Sequence, residues 1–147
     1  MKTLETTEIA KIVSQITEPV LGITFSAASS PQTSVSADWK TASLPIHGGN
    51  PITVAVAADE ACGRQLGATM FATPTEKVDE AMVDDALCEL VNMTAGRLKS
   101  ALRIDQALGL PTIRPPEILQ DGDGTWSQHF LRAGQLNLVL AVATRIC

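Results

Sequence analysis

The sequence predicts a single α+β domain, in the broad sense a mixed α/β fold, with a long helix and additional helices packed on a largely antiparallel sheet. Two pairs of apolar strand patterns each flank a short glycine-containing turn, and the helical pattern between them is much longer than the others. The chain has 147 residues, of which 45% are hydrophobic and 18% charged. That size and composition suit one globular unit with its own core, so we expect residues 1–147 to form one domain.

The N-terminal pattern is that of a helix followed by a short strand. Apolar residues recur at helical spacing after Thr7, a candidate N-cap: Ile9, Ile12, Val13 and Ile16. Pro19 predicts the end of this helix. Residues 22–28 then have the composition of a short strand.

A hairpin and a second helix come next. Residues 42–47 and 52–57 flank the sequence Gly-Gly-Asn-Pro at 48–51, which predicts two adjacent antiparallel strands. Asp59 is a candidate N-cap for a helix that continues to about Phe71.

The longest helical pattern begins within residues 75–78 and continues to about Leu108. Prolines in residues 110–119 favour an extended segment that can only form an edge strand. Residues 126–132 and 136–144 then alternate around Ala-Gly-Gln, which predicts a closing hairpin. One face of its second strand carries Leu136, Leu138, Leu140 and Val142.

The long helix has a polar stripe. A helix advances by roughly 100° per residue, so Asp85, Glu89, Asn92 and Gly96 lie within about 60° of one another. An apolar band on the opposite side predicts the buried face: Val83, Leu87, Leu90, Val91, Thr94, Leu98 and Ala101. The polar stripe should therefore face outward.

The stripe allows two interpretations. Asn92 and Gly96 both lower helix propensity, so their place in the middle of a helix needs a reason. In one interpretation, Asn92 is an ordinary surface residue and Gly96 lets a neighbouring backbone approach closely. In the other, the stripe is a reaction surface.

A family resemblance favours the reaction surface. Asp85 is followed four residues later by Glu89 and three residues after that by Asn92, and Pro115 follows beyond the helix. This spacing resembles the signature of the CheC/CheX/FliY family of chemotaxis phosphatases. The run Glu-Leu-Val-Asn-Met-Thr-Ala-Gly-Arg-Leu-Lys-Ser is most similar to the CheX-type members. The order of elements also matches that family over roughly residues 5–145.

Some members of this family carry the signature twice, and the first helix has only a partial copy. Ser14 and Glu18 have the first spacing, but Leu21 stands where asparagine is needed. We expect a degenerate half that packs without chemistry, which leaves one site per chain, as in CheX-type proteins.

The resemblance implies a phosphatase that hydrolyses the aspartyl phosphate of a CheY-type receiver domain. Asn92 would orient the attacking water, and Glu89 would pair with the active-site lysine of the receiver. Asp85 and Gly96 would contact this partner. The chain would need no cofactor of its own, since Mg²⁺ is expected on the receiver. The alternative is a catalytically silent module of the same fold that docks a receiver or another protein.

Composition and resemblance together limit the other partners. The net charge of −5 argues against nucleic-acid binding, and no apolar run is long enough to cross a bilayer, so we expect a cytoplasmic protein. Three cysteines without CxxC spacing indicate neither a disulfide framework nor a zinc site. The resemblance implies a homodimer, and an edge strand near the C-terminus could supply the pairing.

Other reactive residue types lack partners at recognised spacing. His47 and His129 are far apart in the sequence, and ordinary packing explains them better than a catalytic pair. Cys88 lies beside the polar stripe, but a small buried cysteine is commoner than a reactive thiol. The sequence Asp-Gly-Asp-Gly at 121–124 faintly resembles a calcium loop but lacks the downstream glutamate. We therefore expect no metal bound by this chain.

Overall fold

A computed structural model describes residues 4–28, 35–48, 51–120 and 125–143. Its single sheet has six strands in the order β1-β5-β6-β3-β2-β4, and every described neighbour pair is antiparallel. This confirms the predicted α+β class with an antiparallel sheet. In chain order the elements are α1 Thr6–Leu21, β1 Ser26–Ala27, β2 Lys40–Ile46, β3 Ile52–Ala58, α2 Glu60–Met70, α3 Glu80–Ala101, β4 Thr112–Arg114, β5 Trp126–Ala133 and β6 Leu136–Ala143.

Both predicted hairpins are confirmed, and β3 and β6 join them in the centre of the sheet. Val56 on β3 lies opposite Leu140 on β6, and both side chains are fully buried. The proline-containing segment is an edge, as predicted, because β4 pairs only with β2 among the described strands. The expectation of an edge strand near the C-terminus is wrong. Both β5 and β6 have neighbours on each side, and the burial of β6 on both faces explains its central place.

The main core lies between one face of the sheet and the three helices. Alternate residues of β2, β3 and β6 point into it, among them Leu44, Val54 and Leu138. The predicted apolar band of α3 is buried against them: Val83, Leu87, Leu90, Val91, Thr94 and Leu98. Ala101 was also predicted in this band, but it is exposed because α3 ends there.

The opposite face of the sheet is covered by loop segments and a short 3-10 helix, Pro116–Leu119, and by no α-helix among the described residues. Trp39 and Leu119 pack over a row of alanines in the middle strands, including Ala55 and Ala141. Gln120 Nε2 donates a hydrogen bond of 2.6 Å to the carbonyl of Val35, which links the two covering segments. The three helices are thus left on one side, where the polar stripe lies.

The long helix is shorter than predicted at both ends. It begins at Glu80 because Asp79 is its N-cap, with a carboxylate oxygen that accepts from the backbone of Met82 at 2.9 Å. The preceding residues, Thr75–Lys77, form a separate 3-10 turn after Pro74. At the other end, Arg103 has a φ of 55°, in the left-handed region that terminates helices.

The ends of α1 also differ from the sequence prediction. Its N-cap is Glu5, not Thr7, and Glu5 and Glu8 form a reciprocal capping box. Pro19 lies inside the last turn instead of ending the helix. A proline there costs the helix only one late hydrogen bond, and the chain turns at Gly22 with a φ of 68°.

Candidate functional site

The polar stripe of α3 faces outward, as its spacing predicted. Asp85, Glu89 and Asn92 are exposed, and Gly96 is half-buried. Glu89 and Asn92 are separated by about 4.5 Å along the helix axis, so one partner surface can contact both. The stripe stands on a 22-residue helix whose other face is fully packed, which gives these side chains a rigid base.

The side chains of Asp85, Glu89 and Asn92 are free within the described part of the protein. No hydrogen bond or ion pair among the described residues engages them. The neighbouring acids Glu80 and Asp84, by contrast, both pair with Lys40. Asn92 therefore presents an amide oxygen and two N–H donors to solvent, next to a carboxylate without a local cation.

Lys40 ties the start of α3 to the sheet, a contact that the sequence did not predict. Its ammonium group donates to Glu80 and lies 3.5 Å from Asp84 Oδ1. The hydrogen bond with Glu80 is the main cause that raises the pKa of Lys40, and the same bond lowers the pKa of Glu80. In the sequence, Lys40 is visible only as a lysine at the start of an apolar strand. That position does not indicate which acidic residues it pairs with.

Two glycines of α2 set its distance from α3. A Cβ added at Gly63 would lie 3.0 Å from Val83 Cγ1, and one at Gly67 would lie 2.9 Å from Val78 Cγ1. The two helices therefore approach closely at the first turns of α3. This contact and the Lys40 ion pairs fix the position of α3 ahead of the stripe.

Gly96 does not serve the close backbone approach that one interpretation expected. A Cβ added at this position would lie more than 4 Å from every heavy atom of the other described segments. The glycine opens instead on a groove between α1 and α3, where it lies beside Met93 and across from Val20. Local sequence could not reveal this groove because it depends on how α1 packs.

Cys88 has the properties of a packed thiol. It is half-buried at the margin of the stripe and contacts the main core. Burial is the main cause that raises its pKa, and the charges of Asp84 and Asp85 add to the effect. A thiol that resists ionisation is a poor nucleophile, which agrees with the packing interpretation.

The residues of the partial signature on α1 make hydrogen bonds and packing contacts within the fold. Ser14 is buried, and its hydroxyl group donates to the carbonyl of Phe25 at 3.1 Å and accepts from the Phe25 backbone at 2.9 Å. Glu18 accepts a hydrogen bond from Thr24 at 2.5 Å, and Leu21 is buried. These contacts hold β1 against α1 and leave no second stripe on this helix.

The remaining motif residue and the histidines lie on other elements. Pro115 follows β4 at the sheet edge and caps a 3-10 turn. His47 is exposed after β2, whereas His129 lies on β5 with Nδ1 2.9 Å from Thr6 Oγ1. Burial lowers the pKa of His129. The described residues contain no cluster of three acidic, histidine or cysteine side chains suited to a metal ion, and residues 121–124 lie outside them.

Comparison with solved structures supports the fold. Chemotaxis protein CheX from Vibrio vulnificus superposes with a TM-score of 0.69 and 13% identity, over 96% of this chain and 99% of that chain. The CheX-CheY-BeF3-Mg²⁺ complex from Borrelia burgdorferi gives a TM-score of 0.69 and 13% identity, with coverage of 98% and 100%. FliY from Thermotoga maritima gives 0.56 and 12%, with coverage of 97% and 92%.

Sequence comparison identifies the family. No curated protein sequence matches this chain significantly. No helix among residues 4–28, 35–48, 51–120 and 125–143 is long and apolar enough to cross a membrane. The family model described as chemotaxis phosphatase CheX matches residues 41–130, which include the whole polar stripe. Since this match covers more than half of the chain, the protein belongs to the chemotaxis phosphatase CheX family.

Proposed function

We propose that this protein hydrolyses the aspartyl phosphate of a CheY-type receiver domain in the cytoplasm and so ends a chemotaxis or two-component signal. The observation that carries the proposal is the unpaired amide of Asn92, held one helical turn from the unpaired carboxylate of Glu89. Membership of the CheX family and the resemblance of the stripe to the family signature support it.

Hydrolysis of the aspartyl phosphate requires little from this chain beyond placing the attacking water. In the hydrolysis, a water oxygen forms a bond to phosphorus, the bond between phosphorus and the aspartyl oxygen breaks, and inorganic phosphate leaves. The transition state of phosphoryl transfer is loose, so placing the water in line with phosphorus matters more than a strong base. Asn92 suits this task because its amide oxygen can accept from the water while its N–H groups donate to a phosphoryl oxygen.

Glu89 is assigned to docking. Its free carboxylate would pair with the active-site lysine of the receiver and fix the register between the proteins. Asp85 extends the same acidic surface by one turn. Mg²⁺ is expected on the receiver, and the complex of CheX with CheY, BeF3 and Mg²⁺ from Borrelia burgdorferi supports that arrangement.

The test is the rate of phosphate loss from a phosphorylated CheY-type receiver of the same source. We expect the protein to accelerate it, Asn92→Ala to abolish the acceleration while receiver binding persists, and Glu89→Ala to weaken both. Equal activity of all three proteins contradicts the assignment. Binding without acceleration by the unmodified protein would instead favour the silent docking module.

We also propose a homodimer. The support is a short edge strand, β4, with two exposed apolar residues, Leu110 before it and Ile113 within it. Unpaired sheet edges of this kind readily pair with another chain.

A further inference from the structure

A groove of about 570 Å³ adjoins the polar stripe on its α1 side. Ile16, Pro19 and Val20 line it from α1, and Met93 and Gly96 line it from α3. Gly96 belongs to the stripe as well, and it lies one turn, about 6 Å along the axis, from Asn92. A molecule that docks on Asn92 therefore also reaches the mouth of this groove.

No contact among the described residues explains the glycine at position 96. Glycine weakens the interior of a helix relative to alanine, so its position in the middle of α3 needs a reason. A Cβ added here would meet no heavy atom within 4 Å from the rest of the described chain, so packing against those residues does not require the glycine. Its backbone is helical and its φ is not positive, so conformation does not require it either. The open space above Gly96 leaves room for an atom of a partner to approach the helix backbone.

The groove also has a defined chemistry. Val20 is 55% exposed, which is unusual for a large apolar side chain in this protein. Arg97 lies at the rim, exposed and without an ion pair among the described residues. The groove thus offers an apolar floor with a cation at its edge, whereas Asp85 and Glu89 make the other end of the surface acidic.

We propose that this groove is the second half of the receiver docking surface. An apolar side chain of the receiver enters over Gly96, and a carboxylate near it on the receiver pairs with Arg97. The inference rests on the proposed function and deepens it, because opposite charges at the two ends of the surface allow one orientation of the partner and disfavour its reverse. Continuity with Asn92 is the argument for the receiver as the occupant.

Filling the groove and reversing its rim charge test the proposal. The measurement is the affinity for a CheY-type receiver activated with BeF3 and Mg²⁺, together with the KM for dephosphorylation. We expect Gly96→Leu and Arg97→Glu each to weaken affinity about tenfold or more and to raise KM, the range found when a central interface residue is changed. Gly96→Ala should weaken affinity less and yet raise the Tm of the free protein.

Two matched variants serve as controls. Ala61→Leu adds similar bulk to an exposed position on α2, and Lys77→Glu makes the same change of charge on an exposed turn. Both should leave the affinity within about twofold, the range of a residue outside an interface.

The outcomes separate this inference from the proposed function. If the unmodified protein binds and dephosphorylates the receiver but the groove variants match the controls, the groove proposal is wrong and the function stands. If the variants alter the mass of the free protein instead of receiver affinity, the groove pairs with a second copy and the proposal is also wrong. If the unmodified protein does not bind, both proposals are overturned.

Discussion

Asn92 is the residue on which the proposed chemistry depends, and its amide can be tested against a carboxylate of nearly the same shape. Asn92→Asp keeps an oxygen that can accept from water but replaces the N–H donors with a negative charge. That charge would face the phosphoryl oxygens, so we expect turnover to fall by about 100-fold or more, as when a transition-state donor is lost. Single-turnover dephosphorylation at saturating receiver measures this.

The same variant separates two mechanisms. If position 92 only had to accept a hydrogen bond or a proton from the water, aspartate would serve as well as asparagine, or better, because a carboxylate is the stronger base. Activity of Asn92→Asp equal to that of the unmodified protein would therefore refute the water-orienting amide. Gln106→Glu is a control for the added charge, because Gln106 is exposed in the loop that follows α3.

His129 makes stability depend on pH. Its imidazole is half-buried beside Thr6, and burial lowers its pKa in the folded state, with the charge of Glu5 acting in the opposite direction. At mildly acidic pH, the unfolded chain therefore binds more protons than the folded protein does. Above the ordinary histidine pKa, His129 therefore lowers the stability by nothing. As the pH drops below about 6.5, protonation of the unfolded chain should lower the free energy of unfolding.

Urea unfolding at about pH 7.5 and about pH 5.5 measures this effect. His129→Gln should reduce the loss of stability between the two pH values. An unchanged loss in His129→Gln would show that other groups cause it.

At the scale of elements, the two kinds of helix glycine in this protein should respond oppositely to alanine. At Gly67 the new Cβ would lie 2.9 Å from Val78 Cγ1 and 3.7 Å from the backbone of Met82. We expect Gly67→Ala to lower the free energy of unfolding by about 1 kcal/mol or more, because overpacking outweighs the gain in helix propensity. Gly96→Ala should raise it by about 0.5–1 kcal/mol. Denaturant unfolding of both variants gives the sign, and the same sign in both would contradict this account.

The elements show what local pattern can predict. The spacing of Val83, Leu87 and Leu90 predicted the buried face of α3 because helical periodicity depends only on the helix itself. The ends of the helices were predicted less well. Thr7 looked like a cap, but Glu5 forms the capping box, and Arg103 ends α3 through a left-handed φ that composition does not reveal.

For the whole molecule, sequence could not predict how the parts meet. Each hairpin was visible from its turn, but the pairing of β3 with β6 joins strands about 85 residues apart and leaves no local signal. The stripe was predicted because it lies on one helix. The Lys40 ion pairs and the groove beside Gly96 were not, because each needs two elements in contact.

The sheet edges determine how two copies could associate, and β4 is the better candidate. Ile113 on this strand is 37% exposed, and Leu110 just before it is 82% exposed. Pairing of β4 with β4 of a second copy would continue the sheet and cover both residues. We therefore expect a mass near twice the 15.5 kDa of one chain by light scattering at micromolar concentration.

Ile113→Lys should convert that dimer to a monomer, because a charge in the middle of an edge strand opposes strand pairing. Phe71→Lys is the matched control, since Phe71 is a similarly exposed apolar residue at the end of α2 and should leave the dimer intact. A monomeric mass for the unmodified protein would refute the homodimer, and a dimeric Ile113→Lys would move the interface away from β4. Because α3 and β4 are separate elements, the monomeric variant should still dephosphorylate the receiver if each chain carries a complete site.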